Sequence, residues 1–150
     1  MKQPVIRDLS GLGPADDRTP QRVGEGIRVV VADDERDTVM TLGILLRSEG
    51  FDVRLVHAGG HVPSVVAEAR PHAVLLDLRM PDRSGHAVAA ELRATYGERC
   101  PVLIAVTALS SASDRTQAES SGFHHFFVKP CDPMELLRLL SSLRPDPQGA

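Results

Sequence analysis

Ala73-Val74-Leu75-Leu76-Asp77 is an unbroken apolar run that ends on a carboxylate. It is too short for a helix and rich in branched side chains, which predicts a strand at 73–77 buried on both faces. The same signature recurs along the chain. Ile27-Arg28-Val29-Val30-Val31-Ala32 runs into Asp33 and Asp34, Val102-Leu103-Ile104-Ala105-Val106 runs into Thr107, and Phe126-Phe127-Val128 runs into Lys129. Strands are therefore expected at 27–32, 51–56, 73–77, 102–106 and 125–129. Helices are expected between and after them, near 36–49, 61–70, 85–96, 111–121 and 133–143. The first carries Val39, Leu42, Leu45 and Leu46 on one face and the last Leu136, Leu137, Leu139, Leu140 and Leu143, the spacing of an amphipathic helix. Five strand–helix units with short loops imply an α/β fold, a doubly wound parallel sheet with right-handed crossovers. Ligands of such sheets bind outside the carboxyl ends of the strands. Asp33, Asp34, Asp77, Thr107 and Lys129 are thus expected to meet at one edge.

The chain has 150 residues, 42% of them hydrophobic and 25% charged, with a formal net charge of −3. That is one domain with a real core. The charge balance gives no electrostatic footprint for nucleic acid or an anionic membrane, and aromatics are only 3%, so neither partner is expected. No apolar run approaches a membrane span, and the N-terminus has no secretory h-region. Cys100 and Cys131 lack CxxC spacing and are expected as free thiols of a cytoplasmic protein. Residues 1–26, with recurring breakers and no apolar period, are expected to be a flexible arm, and 144–150 a frayed tail. No output domain is expected after Leu143.

Converging carboxylates repel, and a hard divalent cation with oxygen ligands resolves that conflict. Asp33 and Asp34 alone read as a helix start, with Glu35 as a first-turn residue; taken with Asp77 and Lys129 they read as a metal site. Asp77 is a candidate nucleophile that forms an acyl phosphate. Lys129 supplies a compact cation and Thr107 a hydroxyl, the groups a transferring phosphoryl needs. His124 and His125 are adjacent on a strand and point to opposite faces, so they are read as structural or surface residues. The helix near 111–121 offers only Ala112 and Ala118 as apolar residues and is a candidate mobile element.

In order, Val31-Ala32-Asp33-Asp34-Glu35, Leu76-Asp77-Leu78-Arg79-Met80-Pro81-Asp82-Arg83-Ser84-Gly85, Val106-Thr107-Ala108 and Val128-Lys129-Pro130 resemble a response regulator receiver domain over residues 27–143. The resemblance implies a flavodoxin-like (βα)5 sheet with strand order 2-1-3-4-5. It implies Asp77 as phosphoacceptor, and Mg²⁺ held by Asp34, Asp77 and the backbone carbonyl of Arg79, with Asp33 acting mostly through water. It implies Thr107 and Lys129 as the phosphoryl-contacting pair and Phe126 as the aromatic switch position. The expected partners are a histidine kinase or histidine phosphotransfer protein upstream and a protein target downstream. Such a chain is a signalling phosphoacceptor and not an enzyme in the ordinary sense.

Three alternatives are weighed. A pseudo-receiver binding module would have lost an acidic or Lys position, yet all five are present. An aspartate-nucleophile phosphatase wants a second acid two residues after the nucleophile, where this chain has Arg79. A flavin module wants a Ser/Thr/Gly-rich phosphate loop after the first strand, where this chain has Asp33-Asp34-Glu35-Arg36-Asp37.

Overall fold

The computed structural model describes residues 22–143. Five strands and five helices alternate: β1 (Arg28–Ala32), α1 (Arg36–Ser48), β2 (Asp52–Val56), α2 (Val62–Ala69), β3 (Ala73–Leu76), α3 (Gly85–Tyr96), β4 (Val102–Thr107), α4 (Ala112–Ser121), β5 (His125–Val128) and α5 (Pro133–Ser141). The strands form one sheet in the order β2-β1-β3-β4-β5, and all four pairings are parallel. This is the expected doubly wound, flavodoxin-like topology. The element ends agree to within one or two residues, the scatter inherent in fraying termini.

The period of two along each strand divides the core in two. Val30, Ala32, Val74 and Leu76 face Val62, Val66, Val88, Ala89, Leu92 and Ala118, the buried residues of α2, α3 and α4. Val29, Val31, Ala73 and Leu75 face Val39, Leu46, Leu136, Leu137 and Leu140 of α1 and α5. The apolar runs of β1, β3 and β4 are therefore buried on both sides, which is why these strands read as continuous and not as alternating.

The helices are unequally anchored. α5 buries three leucines, whereas α4 buries Ala118 alone and Ala112 stays exposed. α4 is defined locally instead. Ser111 Oγ accepts from the Asp114 N–H at 3.0 Å and Asp114 Oδ2 accepts from the Ser111 N–H at 3.0 Å, a reciprocal cap. Those hydrogen bonds hold the Asp114 carboxyl below its usual range.

Residues 22–26, expected as the end of a flexible arm, pack on the domain. The Gly24 N–H donates to Glu49 O at 2.8 Å, and Ile27 N–H donates back to Gly24 O at 2.9 Å. Gly24 is buried against the Phe51 ring, which a Cβ at this position would strike. The rest of the arm, 1–21, and the tail, 144–150, lie outside the described residues.

This packing predicts that Gly24→Ala lowers stability by about 1–3 kcal/mol through overpacking against Phe51. Urea unfolding followed by circular dichroism checks it. An unchanged midpoint would show that the turn at 22–26 does not bear on the core.

Candidate functional site

Asp33, Asp77 and Lys129 each stand one residue past a strand, yet the ladder carries on through their backbones. Asp33 N–H donates to Val56 O at 3.1 Å, Asp77 N–H to Ala32 O at 3.0 Å and Lys129 N–H to Thr107 O at 2.8 Å. The sheet thus fixes where these side chains start. Thr107 is the last residue of β4. Gly85 opens α3 directly beneath Asp77, where a Cβ would run into the Asp77 carbonyl and the Leu78 Cα. The close approach of α3 to the β3 end requires a residue without a side chain.

Lys129 joins the carboxylates. Its Nζ donates to Asp33 Oδ2 at 2.5 Å and to Asp77 Oδ2 at 3.1 Å, and lies 3.7 Å from Glu35 Oε1. Asp33 Oδ1 accepts from the Glu35 N–H at 2.9 Å, and Asp77 Oδ1 accepts from the Arg79 N–H at 3.2 Å. Asp33 is 4% exposed and Asp77 8%, so both carboxylates have given up most of their water. Asp34 is exposed. One oxygen from each of Asp33, Asp34 and Asp77 lies within 4.8 Å of the others.

Burial pushes the Asp33 carboxyl above its ordinary value, helped by the Asp77 charge and opposed by the hydrogen bond from Lys129. Burial would lower Lys129, but its hydrogen bonds to Asp33 and Asp77 outweigh that and leave it raised. The two directions are compatible, because one ammonium is shared between carboxylates and cannot fully compensate either. The cation's contribution to stability is complete below the ordinary lysine value and is lost only as pH rises through the raised one. Three carboxylates against one ammonium leave the cluster net negative. An all-oxygen donor set with no His or Cys fits a hard divalent cation.

An open cleft of about 510 Å³ is lined by Asp34, Glu35, Asp77, Arg79, Thr107 and Lys129, with Met80, Pro81, Ala108 and Leu109. Asp33 lies beside it on Lys129. Phe126 stands apart, half-buried on β5 against the core under α2, α3 and α4. Thr107 is buried, and its Oγ1 accepts from the Leu109 N–H at 3.3 Å. The Lys129–Pro130 peptide is cis.

Several features escaped the sequence reading. Glu35 is the N-cap of α1 and not a first-turn residue; Thr38 Oγ1 donates to its Oε1 at 3.0 Å. Asp82 reaches across to the loop after β2, accepting from the Gly59 N–H at 2.9 Å and the Gly60 N–H at 2.8 Å. The adjacent glycines Gly59-Gly60 were the one available sign of that bridge. Other residues agree with the sequence reading: His124 is structural, its Nδ1 accepting from the Leu103 N–H at 2.9 Å, and Cys100 and Cys131 are free and half-buried.

Residues 29–141 match the family described as response regulator receiver domain. Among curated relatives, the DNA-binding response regulator MtrA of Mycobacterium tuberculosis (strain ATCC 25618 / H37Rv) is 36% identical over 118 residues, 78% of this chain and 50% of that protein. The response regulator MprA of Mycobacterium bovis (strain BCG / Pasteur 1173P2) is 34% identical over 126 residues, 83% of this chain and 54% of that protein. The chain spans about half the length of the curated relatives it matches.

Among solved structures, the BeF3-activated N-terminal receiver domain of Klebsiella pneumoniae RstA aligns with a TM-score of 0.72 at 24% identity, covering 79% of this chain and 99% of that one. The co-crystal structure of a Saccharomyces cerevisiae histidine phosphotransfer signaling protein with the receiver domain of its downstream response regulator aligns with a TM-score of 0.73 at 23% identity, covering 79% of this chain and 88% of that one. These two likenesses establish the fold alone.

The relatives correct one expectation. Nucleic acid was excluded as a partner on the net charge of −3, but MtrA is named a DNA-binding response regulator. The charge of a chain that spans about half the length of those relatives does not report on what the other half of such a protein binds, so the exclusion falls. Among the described residues no helix is long and apolar enough to cross a membrane.

Removing the shared ammonium leaves Asp33 buried without a cation. Lys129→Ala is therefore expected to cost about 1–3 kcal/mol, the penalty of an unpaired buried polar group. Adding Asp33→Asn should recover most of that loss. Chemical denaturation of the two single variants and the double variant measures this, and simple additivity would show that the two side chains are not coupled.

Proposed function

The chain belongs to the response regulator receiver domain family of two-component signalling, and we propose that Asp77 is its phosphoacceptor. The observation that carries this reading is the Asp77 carboxylate at the mouth of the cleft, held by Lys129 Nζ at 3.1 Å and the Arg79 N–H at 3.2 Å. A carboxylate oxygen of Asp77 attacks the phosphorus of a phosphohistidine on the donor. The phosphorus–nitrogen bond breaks, its electron pair returns to the donor imidazole, and an acyl phosphate forms. The donor is a histidine kinase or a histidine phosphotransfer protein, which puts the chemistry in the cytoplasm. Hydrolysis of the acyl phosphate returns the carboxylate, so the chain acts as a signalling phosphoacceptor and turns over no separate substrate.

Asp33, Asp34, Asp77 and the backbone carbonyl of Arg79 would hold Mg²⁺. When bound, the ion neutralises charge on the phosphoryl oxygens. Lys129 keeps its contact with Asp33 and gives the Asp77 side its second cation. Thr107 exchanges the Leu109 N–H for a phosphoryl oxygen, to which its hydroxyl donates. That movement opens space behind β4 for Phe126 and reshapes the α4–β5–α5 face, which meets the downstream target. Nucleic acid stands among the downstream partners by analogy with MtrA, reached through whatever segment or protein this face controls.

The test is incubation with acetyl phosphate and Mg²⁺ followed by intact-mass measurement. One phosphoryl group is expected on the wild type and none on Asp77→Asn; the same gain on the Asn variant would move the site elsewhere. A second prediction concerns the metal. Mg²⁺ at 100 times its dissociation constant should stabilise the fold by about 2.7 kcal/mol. Asp34→Ala should weaken that effect far more than Glu35→Ala, and equal losses would contradict the ligand set.

A further inference from the structure

α4 is held to the domain in an unusual way. It buries only Ala118, and its cap at Ser111 and Asp114 is internal to the helix. Its C-terminal end is tied to α3, where His86 Nδ1 and Ser121 Oγ lie 3.0 Å apart. Its N-terminal half meets the sheet through Arg115, whose guanidinium carbon lies 4.7 Å from the centroid of the Phe126 ring. Arg115 is exposed and, among the described residues, joins no ion pair. The aromatic face is its partner, and a planar guanidinium is the side chain best suited to lie on it.

The ring beneath belongs to the element that the acyl phosphate is to influence. Phe126 and Leu109 pack on the same core cluster, and the Leu109 N–H occupies the Thr107 hydroxyl. Thr107, bonded to the Leu109 N–H, and Arg115, stacked on Phe126, are thus connected through the one core cluster on which Leu109 and Phe126 both pack. In the present arrangement the Thr107 oxygen accepts from the Leu109 N–H, the Phe126 ring is half-buried, and the Arg115 guanidinium lies over it.

We propose that Arg115 is a positioning residue for Phe126: its guanidinium, stacked on the ring, fastens α4 to the resting arrangement and must be released when Asp77 is phosphorylated. The first half of this is independent of phosphorylation; the second rests on the function proposed above. An ordinary surface arginine lying on a ring would give the same static contact. What separates the two is whether loss of the guanidinium moves the ring and speeds phosphoryl uptake. A group that stabilises only the resting state raises the population of the other state when removed.

The experiment uses the full chain with 4-fluorophenylalanine at its four phenylalanines, the Phe126 fluorine signal being assigned with Phe126→Leu. Without a phosphodonor, Arg115→Ala and Arg115→Gln should move the Phe126 signal toward the position the wild type takes with beryllofluoride and Mg²⁺. Arg115→Lys should move it part of the way, since it keeps the charge and loses the planar stack. Uptake from acetyl phosphate should rise about 2–5-fold in Arg115→Ala, the population shift expected from losing one exposed cation–π contact. Glu119→Ala, also exposed on α4, should change neither readout. A Phe126 signal unmoved by Arg115→Ala overturns the proposal, as does an equal shift in Glu119→Ala. A moved signal with an unchanged uptake rate overturns the coupling to phosphorylation. If the wild type takes up no phosphoryl group, the function proposed above fails, and the Phe126 signal alone still decides whether Arg115 positions the ring.

Discussion

The ammonium of Lys129, lodged between Asp33 and Asp77, is the contact on which the cleft depends. Two nearly buried carboxylates at adjacent strand ends would otherwise repel in a medium that screens poorly. Lys129 reaches them from β5, two strands away from β3 in the sheet order, so a single side chain spans the C-terminal edge. The parallel sheet makes this possible, since all strands end at the same edge and their ladders continue into Asp33, Asp77 and Lys129. The compensation is incomplete by design of the charges. The burial that raises Asp33 and the excess of carboxylates over ammonium leave a cluster that gains by meeting further positive charge.

The helices are fastened to the sheet in two different ways. α1 and α5 insert Val39, Leu46, Leu136, Leu137 and Leu140 into the sheet, and each such side chain is worth roughly 1.5–3 kcal/mol when fully buried. α4 contributes one alanine and relies on its cap, the His86–Ser121 contact and the Arg115–Phe126 stack. Contacts of that kind are individually weak, so α4 is the helix whose position a local charge event can change at least cost. Thr107 lies between the two regimes, with its backbone in the sheet and its hydroxyl in the loop that leads to α4.

Most of the architecture could be read from the chain because its three central strands are buried on both faces. Such strands appear as continuous apolar runs, with Asp33, Asp77 and Thr107 at their ends, and Lys129 ends the shorter apolar run of the edge strand β5. That these side chains meet was legible for the same reason: the topology places strand ends together. What stayed hidden has no periodicity. Asp82 meets Gly59 and Gly60 through backbone N–H groups of another loop, and beyond the paired glycines nothing in either segment announces the other. Gly24 read as a breaker in a polar stretch, whereas it is the one residue small enough to lie on Phe51. Glu35 looked like a first-turn residue because a cap is defined by backbone angles that a sequence does not display. The error on nucleic acid had another origin: net charge was taken to decide the partners of a chain that spans only about half the length of its relatives.

The central claim is that charge arriving at Asp77 is transmitted through Thr107 to the α4–β5 face. Amide hydrogen exchange on the full chain, with Mg²⁺ and with or without beryllofluoride as phosphoryl mimic, tests it most directly. The account predicts that the largest changes fall in residues 107–131, from the end of β4 through α4 and β5. Changes confined to residues 33–37 and 77–85 would contradict it, because the cleft would then bind a phosphoryl group without passing anything on.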